Sequence, residues 1–186
     1  MRRLVLLLLL SIATTSHANS ADRLREAAFA ERQQQAGTTL ERKNQALLTY
    51  LWADVYSAAY YTEAGTSPQQ ASGQKANQRL ELYYYRDIAR ADVIKAAWVT
   101  LERQHPAARL DALRPMIDAL HASFRDIRPG DRYALSYAPG AGLSLEINGS
   151  RAFHSDSDEL ASAYLGIWLA PNGLSDELRE QLLAER

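Results

Sequence analysis

Residues 132–154 read RYALSYAPGAGLSLEINGSRAFH, and this stretch predicts three short consecutive strands. The segment 139–142 provides a tight connection within it. Asn148-Gly149 is the strongest two-residue hairpin signal, because both positions tolerate a positive φ. These turns divide the stretch into strands at 132–137, 143–147 and 151–154.

The segments before this stretch also predict strands. Residues 79–86, RLELYYYR, alternate apolar and polar side chains, so that Leu80, Leu82 and Tyr84 share one face of a half-buried strand. The region 46–62, which contains LLTYLWADVYSAAYYT, is rich in aromatic residues and nearly free of charge. It favours either one long strand or two strands joined by a bend. The segment 63–78 carries Gly, Ser, Pro and Gln without an apolar period, which is typical of a surface loop.

Helices are predicted at the N-terminus, between the two groups of strands and after the second group. Residues 20–36 indicate a peripheral helix or a loosely docked arm. Two helices after residue 87 carry apolar residues at helical spacing, and two more follow residue 155. Helices therefore do not alternate with single strands, which argues against a doubly wound parallel sheet. The order favours an α+β fold, an antiparallel β-sheet covered on one face by a layer of helices.

Residues 1–18 have the pattern of a cleavable secretory signal. Arg2 and Arg3 precede an apolar run of about nine residues, and Ser16-His17-Ala18 offers small residues to a signal peptidase. A membrane anchor is the alternative, but spanning a bilayer takes about 20 apolar residues. We expect cleavage after Ala18 and a periplasmic protein. The predicted organisation is a signal peptide at 1–18, an N-terminal helical arm and connection at 19–45, and one folded domain at 46–186.

Composition excludes several classes of partner and cofactor. The chain has 21 basic and 22 acidic residues, and loss of Arg2 and Arg3 makes the balance more acidic. Phosphate binding needs a basic surface, so we expect no nucleic-acid partner. With no Cys and with His105, His121 and His154 far apart in sequence, no metal site is expected. No cofactor and no membrane span are predicted either.

Catalytic motifs are also missing. The chain has no GxSxG nucleophile elbow and no GxxxxGK[ST] phosphate loop. Trp52, Trp98, Trp168 and the run 83–85 are most simply interpreted as core aromatics. Arg86 lies two residues after Tyr84, and strand alternation would point it at the helix layer with Leu82. The alternative is that Arg86 stands at the strand end and reaches solvent or an acidic neighbour.

Four segments in order resemble one family. They are DVYSAAYYT, LELYYYRDIARADVIKAAW, FRDIRPGDRYALSYAPGAGLSLEINGS and GIWLAPNGLSDELREQLL. Together they resemble the bacterial exported chalcone isomerase-like proteins over residues 47–183. The ordered set is specific, although no single motif is. The departures are mild: Tyr60-Tyr61 replaces Leu-Tyr, and Ala170 replaces the Gly of an IWLG motif.

The resemblance implies an antiparallel sheet, a helical layer over one face and a cleft between them. True chalcone isomerases use an Arg, a strand Thr, a helical Tyr and Asn, and a late hydroxyl residue. Here the strand Thr falls on or near Val55 and the late hydroxyl on Ile167. No Tyr or Asn occurs between residues 104 and 124, and the Arg has only the poorly aligned Arg42 as its counterpart. We therefore expect no isomerase reaction and assign no catalytic residue.

Three functions from different classes remain. The leading one is a non-catalytic envelope protein that binds an apolar or amphipathic, fatty-acid-like molecule in the cleft. In that hypothesis Tyr84 and Arg86 contact the carboxylate of a chain-like acid, and Val55 and Ile167 contact its apolar part. The second is an isomerase-type enzyme of unknown substrate. The third is a structural or interaction domain whose cleft is filled by its own aromatics.

Overall fold

The computed structural model describes residues 13–35, 37–73 and 76–185, with side chains from residue 20 onward. Seven strands form one antiparallel sheet in which sequence neighbours are also sheet neighbours. The predicted α+β architecture and all three strands of the 132–154 meander are confirmed. The strands are β1 Arg32–Gln35, β2 Thr38–Tyr50, β3 Ala53–Glu63, β4 Gln78–Tyr84, β5 Arg132–Ala138, β6 Gly142–Ile147 and β7 Ser150–Ser155.

Helices fill the connections and pack mainly on one face of the sheet. They are α1 Ala13–Ala27, α2 Pro68–Ser72, α3 Arg90–Gln104, α4 Ala107–Ala122, α5 Asp158–Leu169 and α6 Asp176–Leu183. Helix α5 lies against β6 and contacts α3, α4 and α6, while α6 packs on β2. We call the face beneath α3–α6 the inner face and the opposite one the outer face. No helix among the described residues is long and apolar enough to cross a membrane.

The aromatic region 46–62 forms two strands joined by a turn, the second of the two predicted alternatives. Leu51 and Trp52 make that turn with positive φ angles of 45° and 62°. The side chain of Trp52 is 95% exposed, so its interpretation as a core residue was wrong. The reason is local, because a two-residue hairpin turn projects its side chains away from the sheet.

Strand β3 buries both of its faces. Ala58 and Tyr60 join the large inner core with the helices. Ala59 and Tyr61 join a small outer core that includes Phe29 from the N-terminal segment. The sheet is therefore covered on both sides at this strand, which is why β3 is almost continuously apolar.

The predicted helical arm at 19–45 is only partly helical. Helix α1 ends at Ala27, Ala28 has a positive φ of 46°, and the chain then pairs as β1 and the first part of β2. The polar run of β1 has no apolar period because it is an edge strand with exposed and half-buried positions.

The segment 63–78, which was predicted to be a surface loop, contains the short helix α2. Ser67 and Gln70 form a capping box at its start. The predicted signal peptide lies largely in residues 1–12, which are outside the described part.

Candidate ligand-binding site

A cavity of about 510 Å³ lies between the inner face of the sheet and the helices. Its size falls in the range of about 300–1,000 Å³ that is usual for small-molecule sites. The sheet contributes Leu48, Val55, Leu80, Leu82, Leu135 and Leu145 to the wall. The helices contribute Val93, Ala96, Ala97, Ile167 and Trp168. The cavity exists because these side chains line the space between sheet and helices without filling it.

Tyrosine hydroxyls provide most of the polar groups in this wall. Tyr56 accepts a hydrogen bond of 2.9 Å from Trp168 Nε1. Tyr133 donates one of 3.3 Å to the carbonyl oxygen of Arg125. Burial raises the pKa of both phenols, so they remain protonated hydrogen-bond donors at neutral pH.

Tyr164 is held by a histidine outside the cavity wall. Its hydroxyl lies 3.0 Å from His121 Nε2, and the two rings meet edge to face at 5.7 Å. Burial lowers the pKa of His121 to about 4, so the imidazole is neutral near pH 7. His121 therefore fixes the orientation of Tyr164 and brings no positive charge to the site.

Tyr84 differs from Tyr56, Tyr133 and Tyr164. Strand alternation places it on the inner face, where its ring packs edge to face on Tyr56 at 5.3 Å and on Tyr133 at 5.7 Å. The side chain is 5% exposed and lines the cavity. Within the described part of the chain its hydroxyl forms no hydrogen bond. The hydroxyl oxygen keeps contact with the open space of the cavity, so a molecule held there can pair with it.

The wall is almost free of charge. Within the described residues no Lys, Arg or His side chain lines the cavity, and Asp92 is the only acidic residue that does. Asp92 lies in the first turn of α3 and is exposed, so it belongs to the rim. The interior therefore offers hydroxyl groups and apolar surface to a ligand.

Three of the four residues predicted to contact a ligand line the cavity: Val55, Tyr84 and Ile167. Arg86 does not. Strand β4 ends at Tyr84, whose carbonyl accepts a hydrogen bond from Gly130 N, and the alternation of side chains ends with the strand. Arg86 is exposed and borders a separate polar depression with Asp54. The expectation that it points at the helix layer was wrong, and the solvent-exposed alternative holds.

Sequence reasoning did not assign Tyr56 or Tyr133 to the site. Both lie on the inner face, Tyr56 two residues before the core residue Ala58 and Tyr133 two residues before Leu135. Period-two alternation from those residues would have identified them. Trp168 was interpreted as a core aromatic; it faces inward, where it lines the cavity together with Tyr164.

The outer face of β4–β6 is charged where the inner face is apolar. Arg132 Nη1 pairs with Glu81 Oε1 at 2.7 Å. Arg79 pairs with Glu146 at 2.8 Å and with Glu81 at 3.6 Å. We call these four residues the outer-face ion network. Their charges are compensated within the protein, so this face offers no apolar site.

Comparison with protein-family models finds a match over residues 21–184 to the chalcone isomerase-like family. The match covers most of the chain. The chain belongs to the chalcone isomerase-like family.

Among solved structures, a fatty-acid binding protein of Arabidopsis thaliana is similar to this family member. The TM-score is 0.61 with 15% sequence identity, over 83% of this chain and 90% of that chain. At this identity the likeness shows a shared fold. Comparison with curated proteins returned no match.

Val55 and Ile167 are the residues that the sequence resemblance set at positions of family catalytic groups. Val55 and Ile167 both line the cavity. Arg42, the tentative counterpart of the isomerase Arg, bonds instead to the carbonyl of Phe29 in the outer core. In this chalcone isomerase-like chain, no three His, Asp or Glu side chains of the described residues are grouped so that they could hold a metal ion.

Proposed function

We propose that this protein binds an apolar or amphipathic small molecule in the cavity between sheet and helices, and that it does so without catalysing an isomerase reaction. The observation that carries the proposal is the open volume of about 510 Å³ with an apolar wall. A domain whose cleft was filled by its own aromatics would have no such space. Tyr84, Tyr133 and Trp168 line the cavity and leave its centre open.

The magnitudes permit useful affinity. Burying a chain of about ten CH₂ groups gives roughly 8 kcal/mol at ~0.8 kcal/mol per group. Immobilising the ligand takes back ~4 kcal/mol or more. The remainder corresponds to a Kd of about 1 mM, and each net hydrogen bond of ~0.5–1.5 kcal/mol tightens it further. Polar contacts therefore decide whether binding becomes micromolar.

Two lines of evidence support a binding function over an enzymatic one. The similar Arabidopsis structure is a fatty-acid binding protein, which supports a chain-like ligand here. The sequence resemblance sets Val55 and Ile167 where a chalcone isomerase carries hydroxyl groups, and these two side chains can neither donate nor accept a proton. Positioned acid–base groups contribute ~10²–10⁴-fold each, so their loss removes the chemistry.

We also propose that the protein is exported and belongs to the bacterial exported branch of the family. The support is the charge, apolar core and small-residue site of residues 1–18. Cleavage after Ala18 is compatible with the fold. The described hydrogen bonds from α1 to the rest of the domain start at Arg23, which bonds Asp54, and include the carbonyl of Ala27. N-terminal sequencing of the protein from a periplasmic extract should begin at Asn19, and an intact Met1 in a membrane fraction contradicts export.

Native mass spectrometry tests the binding function directly. Protein purified from its own compartment should carry an excess mass that organic extraction removes. Ala97→Phe, which places a ring in the cavity, should abolish that mass while circular dichroism stays unchanged. If the wild type carries no excess mass and does not saturably bind a fluorescent apolar probe, the binding function is wrong.

A further inference from the structure

We infer that the cavity selects an electrically neutral ligand whose polar group is a hydrogen-bond-accepting oxygen, such as a ketone, ester or alcohol, and discriminates against an ionised carboxylate. This inference rests on the proposed binding function and specifies its ligand class. It replaces the acid-binding role that the sequence suggested for Arg86.

Two buried phenols supply unused donors. Tyr84 has no hydrogen-bond partner for its hydroxyl, and Tyr56 only accepts, from Trp168 Nε1. Their rings are in contact at 5.3 Å and both side chains are at least nine-tenths buried. Each therefore has a hydroxyl proton that finds no acceptor within the described residues. Because both residues line the cavity, an acceptor oxygen of a bound molecule is the complement that these donors can pair with.

The other polar groups of the wall are paired or lie where solvent reaches them: Tyr50 is 68% exposed and Asp92 is also exposed. Ser175 Oγ accepts from Leu178 N at 3.2 Å, where it caps α6. Thr49 Oγ1 donates to Asp54 at 3.3 Å. Polar recognition is thus concentrated at Tyr84 and Tyr56, on the sheet side of the cavity.

The charge distribution argues against a carboxylate at this position. An ionised group taken out of water needs a cationic partner or a dense set of donors. Arg23 and Arg86 border the separate polar depression, and the exposed Asp92 at the rim would repel an anion. A neutral oxygen needs no counter-charge and can accept from both phenols.

The test compares four ten-carbon probes by displacement of a bound fluorescent apolar dye: decan-2-one, decan-1-ol, decane and decanoate at pH 8. We expect the ketone and the alcohol to bind several-fold tighter than decane, and decanoate to bind at least tenfold weaker than the alcohol. Lowering the pH should tighten decanoate binding as the neutral acid forms, by up to about tenfold per pH unit above its pKa. The dye alone at each pH serves as the reference.

Substitution separates the hydroxyl from the ring. Tyr84→Phe should weaken the ketone about two- to tenfold, the value of one net hydrogen bond, and leave decane unchanged. Tyr133→Phe is the matched control, since that hydroxyl already donates to Arg125 O and should not affect the preference of ketone over decane.

The outcomes distinguish this inference from the function on which it rests. If decanoate at pH 8 binds tightest, or if Tyr84→Phe weakens ketone and decane equally, the neutral-acceptor inference is wrong while the binding function stands. If none of the four probes displaces the dye, the neutral-acceptor inference is wrong, whereas the binding function is wrong only if the dye itself does not bind saturably and no excess mass is found.

Discussion

The two faces of one sheet have opposite chemistry. On the inner face, β4–β6 present Leu82, Leu135 and Leu145 to an open cavity. On the outer face the same strands present the outer-face ion network of Arg79, Glu81, Arg132 and Glu146, together with the polar Ser136. Because side chains alternate along a strand, each face can be specified independently of the other.

The two faces of the sheet are also covered by different parts of the chain. Helices cover the inner face by apolar packing and leave room for a ligand. The N-terminal segment covers the outer face with the small outer core that contains Ala27 and Phe29, and it adds polar contacts to its own backbone. Arg132 bonds the carbonyl of Ala27, Arg42 that of Phe29, and Tyr61 that of Ala30 at 3.0 Å. Outer-face substitutions should therefore affect stability, and inner-face substitutions both stability and binding.

The largest effect is expected at the centre of the outer-face ion network. Glu81→Gln leaves the paired arginines without their shared acid, and removing one partner of a buried ion pair costs about 3 kcal/mol or more. The side chain of Glu81 is 7% exposed. Glu146→Gln is the control: the side chain of Glu146 is 32% exposed and, within the described residues, pairs with one arginine, Arg79, so ~1 kcal/mol or less is expected. Urea unfolding measures both, and equal losses would refute the buried-network interpretation.

A second test concerns neighbouring inner-face residues on β6. Leu143 is fully packed, whereas Leu145 lines the cavity. Leu143→Ala should cost about 3–4 kcal/mol, the transfer free energy plus a new void, and Leu145→Ala about 2 kcal/mol, because part of its surface already faces open space. Urea unfolding without ligand measures the free energies. An equal cost at both positions would show that the cavity is collapsed in solution.

Sequence patterns predicted the regular part of this molecule well. Period-two alternation placed Leu80, Leu82 and Tyr84 on the helix side, and the Asn148-Gly149 hairpin fixed the end of the meander. These predictions succeed because a strand interior leaves the backbone no freedom in where alternate side chains point.

The sequence-based predictions failed where a strand ends, and where pairing with another strand determines the secondary structure. Arg86 follows the last residue of β4, and Trp52 occupies a turn, so alternation did not apply to either. The strand β1 was interpreted as helix because its polar sequence has no strand period, and only pairing with β2 defines it. The family resemblance implied a cleft, but its open volume and its lining could not be derived from the residues. They depend on how side chains from β2–β6, α3 and α5 fill a shared volume.

The third prediction concerns pH and the buried His121 behind the inner face. Its pKa is lowered to about 4 in the folded protein, below the ordinary 6.5, because burial disfavours the imidazolium. The unfolded chain therefore binds more protons between these values, and stability should fall as the pH decreases from about 6.5 to about 4. The loss is on the order of 2–3 kcal/mol. In His121→Phe this slope should largely disappear from unfolding curves measured at several pH values. A slope that persists unchanged assigns it to other groups.

The smallest effect separates two adjacent tyrosines that face opposite sides of the sheet. Tyr85 faces outward, bonds Ser57 Oγ at 2.7 Å and donates to the carbonyl of Arg23. Tyr85→Phe should therefore cost ~1 kcal/mol, the net value of a hydrogen bond. Tyr84→Phe removes a hydroxyl that has no partner among the described residues, so in ligand-free protein it should be neutral or stabilising by up to ~1 kcal/mol. Thermal and urea unfolding of extracted protein measure both stability changes.

With a bound ketone, Tyr84→Phe should become destabilising, because the wild type then gains a hydrogen bond at Tyr84 that the variant lacks. A clear loss of stability for Tyr84→Phe without ligand would mean that its hydroxyl is already paired inside the protein, and the cavity would then lack its proposed donor.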